Sequence, residues 1–456
     1  MGKGLTGRRS LHRQQGPDRE GRPPMSTFVQ GIAQKAQEQP KPRFGNLYEL
    51  RNEAYLRACW CDIRKDAASG VDHVSAEAYE PHLAAHMHDL VERLKGKRYR
   101  AQRVRRHDIP KGDGHRRPLG IPAVDDKLLQ RAVARSLEAI DEQDFLRCSD
   151  GYRPKVGALD AVDKLTIKLQ FGRYHFVVEA DIKGFFDTIQ HDWLMRMLAE
   201  RLEDGALLRL IRKWLKAGVL DTDGQVLHPV TGTPQGGVIS PILANVYLHY
   251  ALDRWFQKVV KPRGRGEACL IRYADDFVAA FEHQEEADRF YQELGPRLGK
   301  FGLEVAPDKT RVIPFSHQHA RGRTSFDFLG FEFRWGTDRA GKSHVKRRTA
   351  RKKLRNSIKR FTAWCRETCR SRVRDVFRDL NAKLRGYYRY YGVHGNSPSL
   401  QQFSNRAMRI LFKWLNRRSQ RRSYTWTGFT ALLRHFRVER PRLVGRPNTR
   451  KAPAEA

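Results

Sequence analysis

The chain has 456 residues, of which 40% are hydrophobic and 30% charged, enough for roughly two to four domains with a sizeable core. Its 87 Lys+Arg against 51 Asp+Glu give a formal charge of +36, a self-repelling surface unless it meets a polyanion, so nucleic acid is the expected partner. No uninterrupted apolar run approaches the ~18 residues of a membrane span, and the six scattered cysteines form no secreted disulfide framework. A membrane protein and a disulfide-stapled scaffold are excluded, and a reducing, cytoplasmic setting is expected.

Residues 1–30 are rich in Gly, Pro, Gln and Arg, and a disordered basic segment is expected over about 1–40. From Phe44 to Tyr99 apolar residues recur at helical intervals, as with Leu83, Leu90, Val91 and Leu94. Residues 100–124 read as a hairpin whose tip is the basic, Gly-containing KGDGHRRP (111–118). A helix follows over Asp126–Ile140. FVVEADI (176–182) reads as a strand, 192–203 and 205–217 as helices, and VLHPVTGTPQGG (226–237) as a strand entering a Gly-rich turn. SPILANVYLHYALDRWF (240–256) is a long, buried helix. A hairpin over 270–281, a helix over 284–301, a strand over 303–313 and a strand over 326–335 complete the series. Strands mixed with helices in this order predict an α+β fold with an antiparallel sheet. Beyond residue 340 the pattern is helical throughout, and from Arg339 onward 33 Lys/Arg face only five Asp/Glu.

The stretch LIRYADDF (270–277) sets two aspartates side by side between strand-forming residues. A strand would send the two carboxylates to opposite faces, whereas a tight turn lets both project toward one edge. Such a cluster calls for a cation between its charges, and Mg²⁺, which prefers carboxylate oxygens, is the natural one. EADIKGFFD (179–187) offers Asp181 as a third carboxylate at the end of an apolar strand.

In chain order the sequence shows IPKGDGHRRPLGIP (109–122), ADIKGFFD (180–187), TGTPQGGVISPILANVYL (231–248), YADDF (273–277), PDKT (307–310) and FLGFEF (328–333). This series resembles the reverse transcriptase motifs, most closely those of the group II intron-encoded branch, the intron maturases. The resemblance runs from about Phe44 to Leu443. It implies a right-hand polymerase architecture: an N-terminal extension and fingers over 41–175, a palm over 176–336 with a helical finger insertion at about 190–225, a helical thumb over 340–420, and a short basic nucleic-acid-binding tail over 421–456.

Carried over by motif, Asp181, Asp275 and Asp276, with the main-chain carbonyl of Ile182, would hold two Mg²⁺ ions. Lys111 and Arg117 would clamp the incoming triphosphate, with Arg116 as the alternative to Arg117. Phe186 would be the steric gate that rejects a 2′-hydroxyl and so selects dNTPs, with a plain core aromatic as the alternative for it and for Phe185. Gln235, Gly236 and Gly237 would form a turn against the nucleotide, where glycine permits close backbone approach. Lys309 would stand near the leaving pyrophosphate as a candidate general acid, unless it is a surface lysine. LRGYYRYYGVHGNSPSLQQFSNRAMRILFKWLNRR (384–418) resembles the branch's thumb, where Arg385, Tyr387, Tyr388, Arg389, Arg417 and Arg418 would grip nucleic acid.

The function implied is an RNA-directed DNA polymerase that binds its host group II intron RNA, assists its splicing and copies it into cDNA during retrohoming. Its partners would be that RNA, a DNA target, an RNA/DNA template–primer duplex and dNTPs. Many members carry a further Cys/His-containing endonuclease module, and an endonuclease-lacking type is expected here. A relative recruited to defence or CRISPR adaptation, and an RNA-binding splicing factor with vestigial polymerase activity, remain open alternatives.

Overall fold

The computed structural model describes residues 27–38, 42–48, 52–110, 116–221, 223–227, 230–316, 324–338, 340–418 and 423–444. Of the disordered segment expected over about 1–40, residues 1–26 and 39–40 fall outside the described residues, as does the hairpin tip at 111–115. Residues 27–38 are corrected: they form the helix Thr27–Glu38, whose Val29, Ile32 and Ala36 pack into the largest core cluster.

Three sheets organise the α+β fold. The first is β2-β1-β4-β5, built from β1 (Val104–Pro110), β2 (Arg116–Ile121), β4 (Val219–Leu220) and β5 (Val226–Leu227). The second, β6-β7-β3-β8, is antiparallel throughout and contains β3 (Phe176–Ala180), β6 (Ala268–Tyr273), β7 (Asp276–Phe281) and β8 (Arg311–Pro314). The third, β11-β10-β9, comprises β9 (Phe326–Phe328), β10 (Phe331–Thr337) and β11 (Ser343–Thr349).

The central sheet is buried on both faces because its strands are apolar at nearly every position. Period-2 alternation sends Val178 and Ala180 of β3, with Phe277, Ala279 and Phe281 of β7, into the largest core cluster. Val177, Val278 and Ala280 go to the opposite face, packing with Ile313, Phe315 and the phenylalanines of β9 and β10. A third cluster sits between the C-terminal helices Arg351–Thr368, Val373–Tyr391, Ser397–Leu415 and Trp426–His435.

Further expectations are corrected. The single strand expected over 326–335 is a hairpin, β9 and β10 joined by Leu329 and Gly330, both at positive φ, with Phe331 paired to Phe328. The region beyond 340 is not purely helical, because β11 pairs antiparallel with β10 from Phe331↔Thr349 to Thr337↔Ser343 before the helices begin. The alternation HVKRRT is short and basic, so its strand character depends on the partner strand. Nor do residues 303–313 form one strand. Val305 makes an isolated bridge to Ile182, Pro307–Lys309 form a 3₁₀ turn, and only Arg311–Pro314 join the ladder. Pro307 has no N–H to donate to a sheet.

Candidate active site

The geometry around Asp275 and Asp276 starts from a two-residue hairpin. Tyr273 pairs with Asp276, leaving Ala274 and Asp275 as the connection, with Ala274 at φ +58°. Such tight connections require positive φ, which costs a non-glycine residue roughly 1–2 kcal/mol. Asp276 is thus the first residue of β7, on the face shared with Val278 and Ala280, while Asp275 belongs to the turn. Ala180 pairs with Phe277, so Asp181, the next residue, comes level with Asp276 and shares the face of Val177 and Glu179.

A second loop closes on Asp181 from the other side. Ala306 N–H donates to the Asp181 carbonyl at 2.9 Å and Lys183 N–H donates to the Glu304 carbonyl at 2.8 Å. The 3₁₀ turn that follows presents Lys309, whose Nζ donates to Asp181 Oδ2 at 2.6 Å. This bond holds the Lys309 ammonium above its usual range. Asp276 is exposed by area, yet neighbouring protein atoms crowd its carboxyl. That crowding, then the charges of Asp275 and Asp181, push its carboxyl up to about 6, against the pull of Lys353 and Lys309. Among the described residues no group of three or more His, Cys, Asp or Glu side chains is gathered as a ready-made metal cage. The donor chemistry of the edge, mutually repelling carboxylate oxygens, nevertheless fits a hard divalent cation.

The residues expected on the nucleotide side are tied together by backbone. Gly184, at φ +56°, opens the short helix Phe185–Thr188. Thr233 N–H donates to the Phe186 carbonyl at 2.8 Å, and Gly232 N–H to that of Ile189 at 2.7 Å. A Cβ on Gly232 would meet the carbonyl oxygens of Phe186 and Asp187 at 2.9 Å, so glycine is required there. Gln235 takes Gly120 N–H on its carbonyl at 2.6 Å, and its side-chain amide reaches both carboxylate oxygens of Asp187 at 3.4 Å. Gly236, at φ +102°, brings its backbone against Gly120. The loop 231–237 therefore joins the β1–β2 hairpin to the Phe186 turn. Phe186 is buried and stands edge-on to the half-exposed ring of Tyr152. Arg117 lies in β2 opposite Ile109, and Lys111 lies outside the described residues.

On the same sheet face as Asp181, two residues back, Glu179 accepts from Arg311 at 3.0 Å. Arg311 opens a groove of ≈ 960 Å³ lined by Arg334, Arg348, Arg351, Lys352, Arg355 and Lys359. The sequence reading missed this cationic wall, although RKKLRNSIK (351–359) carries its basic residues at helical spacing. Of the expected thumb contacts, Arg389 and Arg417 are exposed and Arg385 pairs with Glu439 at 3.6 Å. Arg418 donates to the Ser371 carbonyl at 2.5 Å. Tyr388 is a correction: its ring is 1% exposed in the helical core, and Tyr387 stacks on Phe403 at 3.8 Å. Their helix turns both rings inward, which composition alone does not reveal.

Residues 109–333, from β1 through the first part of β10, match the family model described as reverse transcriptase (RNA-dependent DNA polymerase). The chain is also 33% identical over 326 residues to Protein YkfC of Escherichia coli (strain K12), a match spanning 64% of this chain and 83% of that protein. The chain belongs to the reverse transcriptase family. Within it, this reverse transcriptase is 29% identical over 467 residues to the group II intron-encoded protein LtrA of Lactococcus lactis subsp. cremoris, covering 84% of this chain and 76% of that one. It is a reverse transcriptase of the group II intron-encoded, maturase-related type, with the mixed α/β architecture and helical C-terminal region of its kind. Among solved structures, an apo telomerase from Candida tropicalis overlays 51% of this chain and 53% of its own at TM-score 0.40 and 15% identity. Reverse transcriptases as a family use divalent metal ions, and no described helix of this enzyme is long and apolar enough to cross a membrane.

Proposed function

We propose that this RNA-directed DNA polymerase binds group II intron RNA, assists its splicing and copies it into cDNA, polymerising dNTPs at the edge formed by Asp181, Asp275 and Asp276. The observation that carries this reading is the meeting of Asp181, Asp276 and Lys309 on one sheet face that continues into the basic groove beside Arg311 and Arg348.

Asp181, Asp275 and Asp276 would hold two Mg²⁺ ions, which when bound supply charge stabilisation for the attacking 3′-oxygen and the departing pyrophosphate. Ile182 is suited to add its carbonyl. Its bridge to Val305 is flanked by the Lys183–Glu304 and Ala306–Asp181 hydrogen bonds, which turns its own carbonyl toward the β7 side. As the O3′–Pα bond forms and the bond to pyrophosphate breaks, Lys309, kept protonated beside Asp181, would give its proton to the leaving group. Phe186, backed by Tyr152, supports selection against a 2′-hydroxyl, since an aromatic wall excludes by contact. Lys111 and Arg117, from the β1–β2 hairpin, would clamp the triphosphate. The groove lined by Arg351, Lys352, Arg355 and Lys359 supports binding of the template–primer duplex through its phosphates. The exposed Arg389 and Arg417, with Arg385 and Arg418, are candidates for contacts to folded RNA.

The test is primer extension on an RNA template with Asp275→Ala and Asp276→Ala, with RNA binding measured on the same preparations. Loss of cDNA synthesis with intact binding is expected; synthesis by either variant would remove the assignment. Sequencing RNA that copurifies from the native cell tests the maturase half. One dominant structured RNA encoding this protein is expected, and a diverse pool would point to a recruited enzyme.

A further inference from the structure

The side chain of Arg272, on β6, is fully buried together with Asp253, both at 0% exposure. Its guanidinium has five N–H donors, and five acceptors meet them. Nε donates to Asp253 Oδ1 at 2.7 Å and Nη2 to Asp253 Oδ2 at 2.6 Å. Nη2 also reaches Ser149 Oγ at 2.6 Å, and Nη1 reaches Asn245 Oδ1 at 3.1 Å. The fifth bond runs from Nη1 to the carbonyl of Ala274 at 3.0 Å, the strained residue immediately before Asp275.

The same guanidinium thus touches three separate segments. Asn245 comes from the helix Ser240–Leu248, and Asp253 from the π-helical turn His249–Asp253 that continues it. Ser149 comes from the loop 148–152. That loop is itself laid along β6: Arg272 N–H donates to the Cys148 carbonyl at 2.7 Å and Asp150 N–H to that of Arg272 at 2.8 Å. Asn245 Nδ2 fastens the Gly151 carbonyl at 2.6 Å, and a Cβ on Gly151 would stand 2.1 Å from Ala274 N, so no other residue fits. The loop ends in Tyr152, held at φ +59° with its ring against Phe186.

A buried ion pair is seldom the most stabilising way to fill a core, because desolvation offsets the attraction, whereas a fully satisfied polar network fixes one geometry. We propose that Arg272 is a positioning residue for DNA synthesis. Its five-point hub holds the Ala274 turn, and therefore Asp275 and Asp276, in fixed register with Asp181 and with the Tyr152 wall of the nucleotide site. This rests on the reading that those aspartates carry the chemistry.

The test compares Arg272→Lys, which keeps the charge but replaces the planar fork by a point ammonium, with Ser149→Ala, which removes one acceptor. Amide hydrogen exchange is followed in the full-length, metal-free protein, alongside single-turnover primer extension. In Arg272→Lys, exchange over 148–152 and 272–277 is expected to rise about tenfold while amides of 279–281 stay protected. kcat falls about 10²-fold with KM for dNTP little changed, the effect of a displacement on the order of 1 Å at reacting groups. Ser149→Ala moves both readouts the same way by a smaller factor, and it decides the matter should Arg272→Lys fail to fold or to bind RNA. Wild-type exchange and kcat in Ser149→Ala, or in a folded Arg272→Lys, overturn the inference. With Asp276→Ala inactive in parallel, that result leaves the catalytic site standing and removes only the positioning role; an active Asp276→Ala overturns both.

Discussion

Replacing Lys309 with alanine separates two roles that the 2.6 Å bond to Asp181 would fill equally well. The lysine side chain is 62% exposed and that of Asp181 24%, so as a structural ion pair the contact is worth about 0–1 kcal/mol after solvent screening. Thermal or urea unfolding of Lys309→Ala should therefore hardly move. As a proton donor to pyrophosphate the same group contributes on the order of 10²-fold or more, and about 2.7 kcal/mol of barrier corresponds to 10². The discriminating variant is Lys309→Arg, which can keep the pairing with Asp181 but has a guanidinium that does not give up its proton near neutral pH. The assay is single-turnover extension of a DNA primer on an RNA template at saturating dNTP. Both variants are expected to lose about 10² in rate with stability intact. A Lys309→Ala enzyme within twofold of wild type refutes any role in the chemistry. A fully active Lys309→Arg refutes proton donation and leaves only charge.

Phe186→Val should relax sugar discrimination, raising incorporation of rNTP relative to dNTP by about tenfold or more in competition assays; unchanged discrimination would remove the gate assignment. The paired substitution of Arg351 and Arg355 by alanine should flatten the slope of log K against log salt for an RNA/DNA duplex by about two, roughly one for each phosphate contact, and an unchanged slope would place the duplex elsewhere. Burial holds the His249 imidazole down at about 4, against about 6.5 in the unfolded chain. Between those values the unfolded chain binds the extra proton, so stability is full above about pH 6.5 and falls toward pH 4 by up to about 3 kcal/mol. His249→Gln should remove that part of the pH dependence of the urea midpoint, and an identical slope in the variant would contradict it. Tyr388→Ala should cost about 3 kcal/mol or more of stability through the helical core, with surviving folded protein still binding RNA.

The sequence by itself determined the elements whose signal is local. Near-continuous apolar runs over 176–182 and 270–281, helical spacing over 126–140, and the order of PKGDGHRRP, ADIKGFFD, TPQGG and YADD carried the fold class and the aspartates at the sheet edge. The same local reading failed where a partner decides the state. β11 is a strand because β10 lies beside it, Pro307 interrupts the strand expected over 303–313, and Tyr388 points into a core formed only when the C-terminal helices pack. It could not find Arg272 either. An arginine before YADD reads as one more cation in a strongly basic chain, and its meaning comes from Ser149, 123 positions away, Asn245 and Asp253. Periodicity is written in neighbours along the chain, whereas the acceptors that surround a buried charge are set by packing between segments, and only the folded molecule brings them to one point.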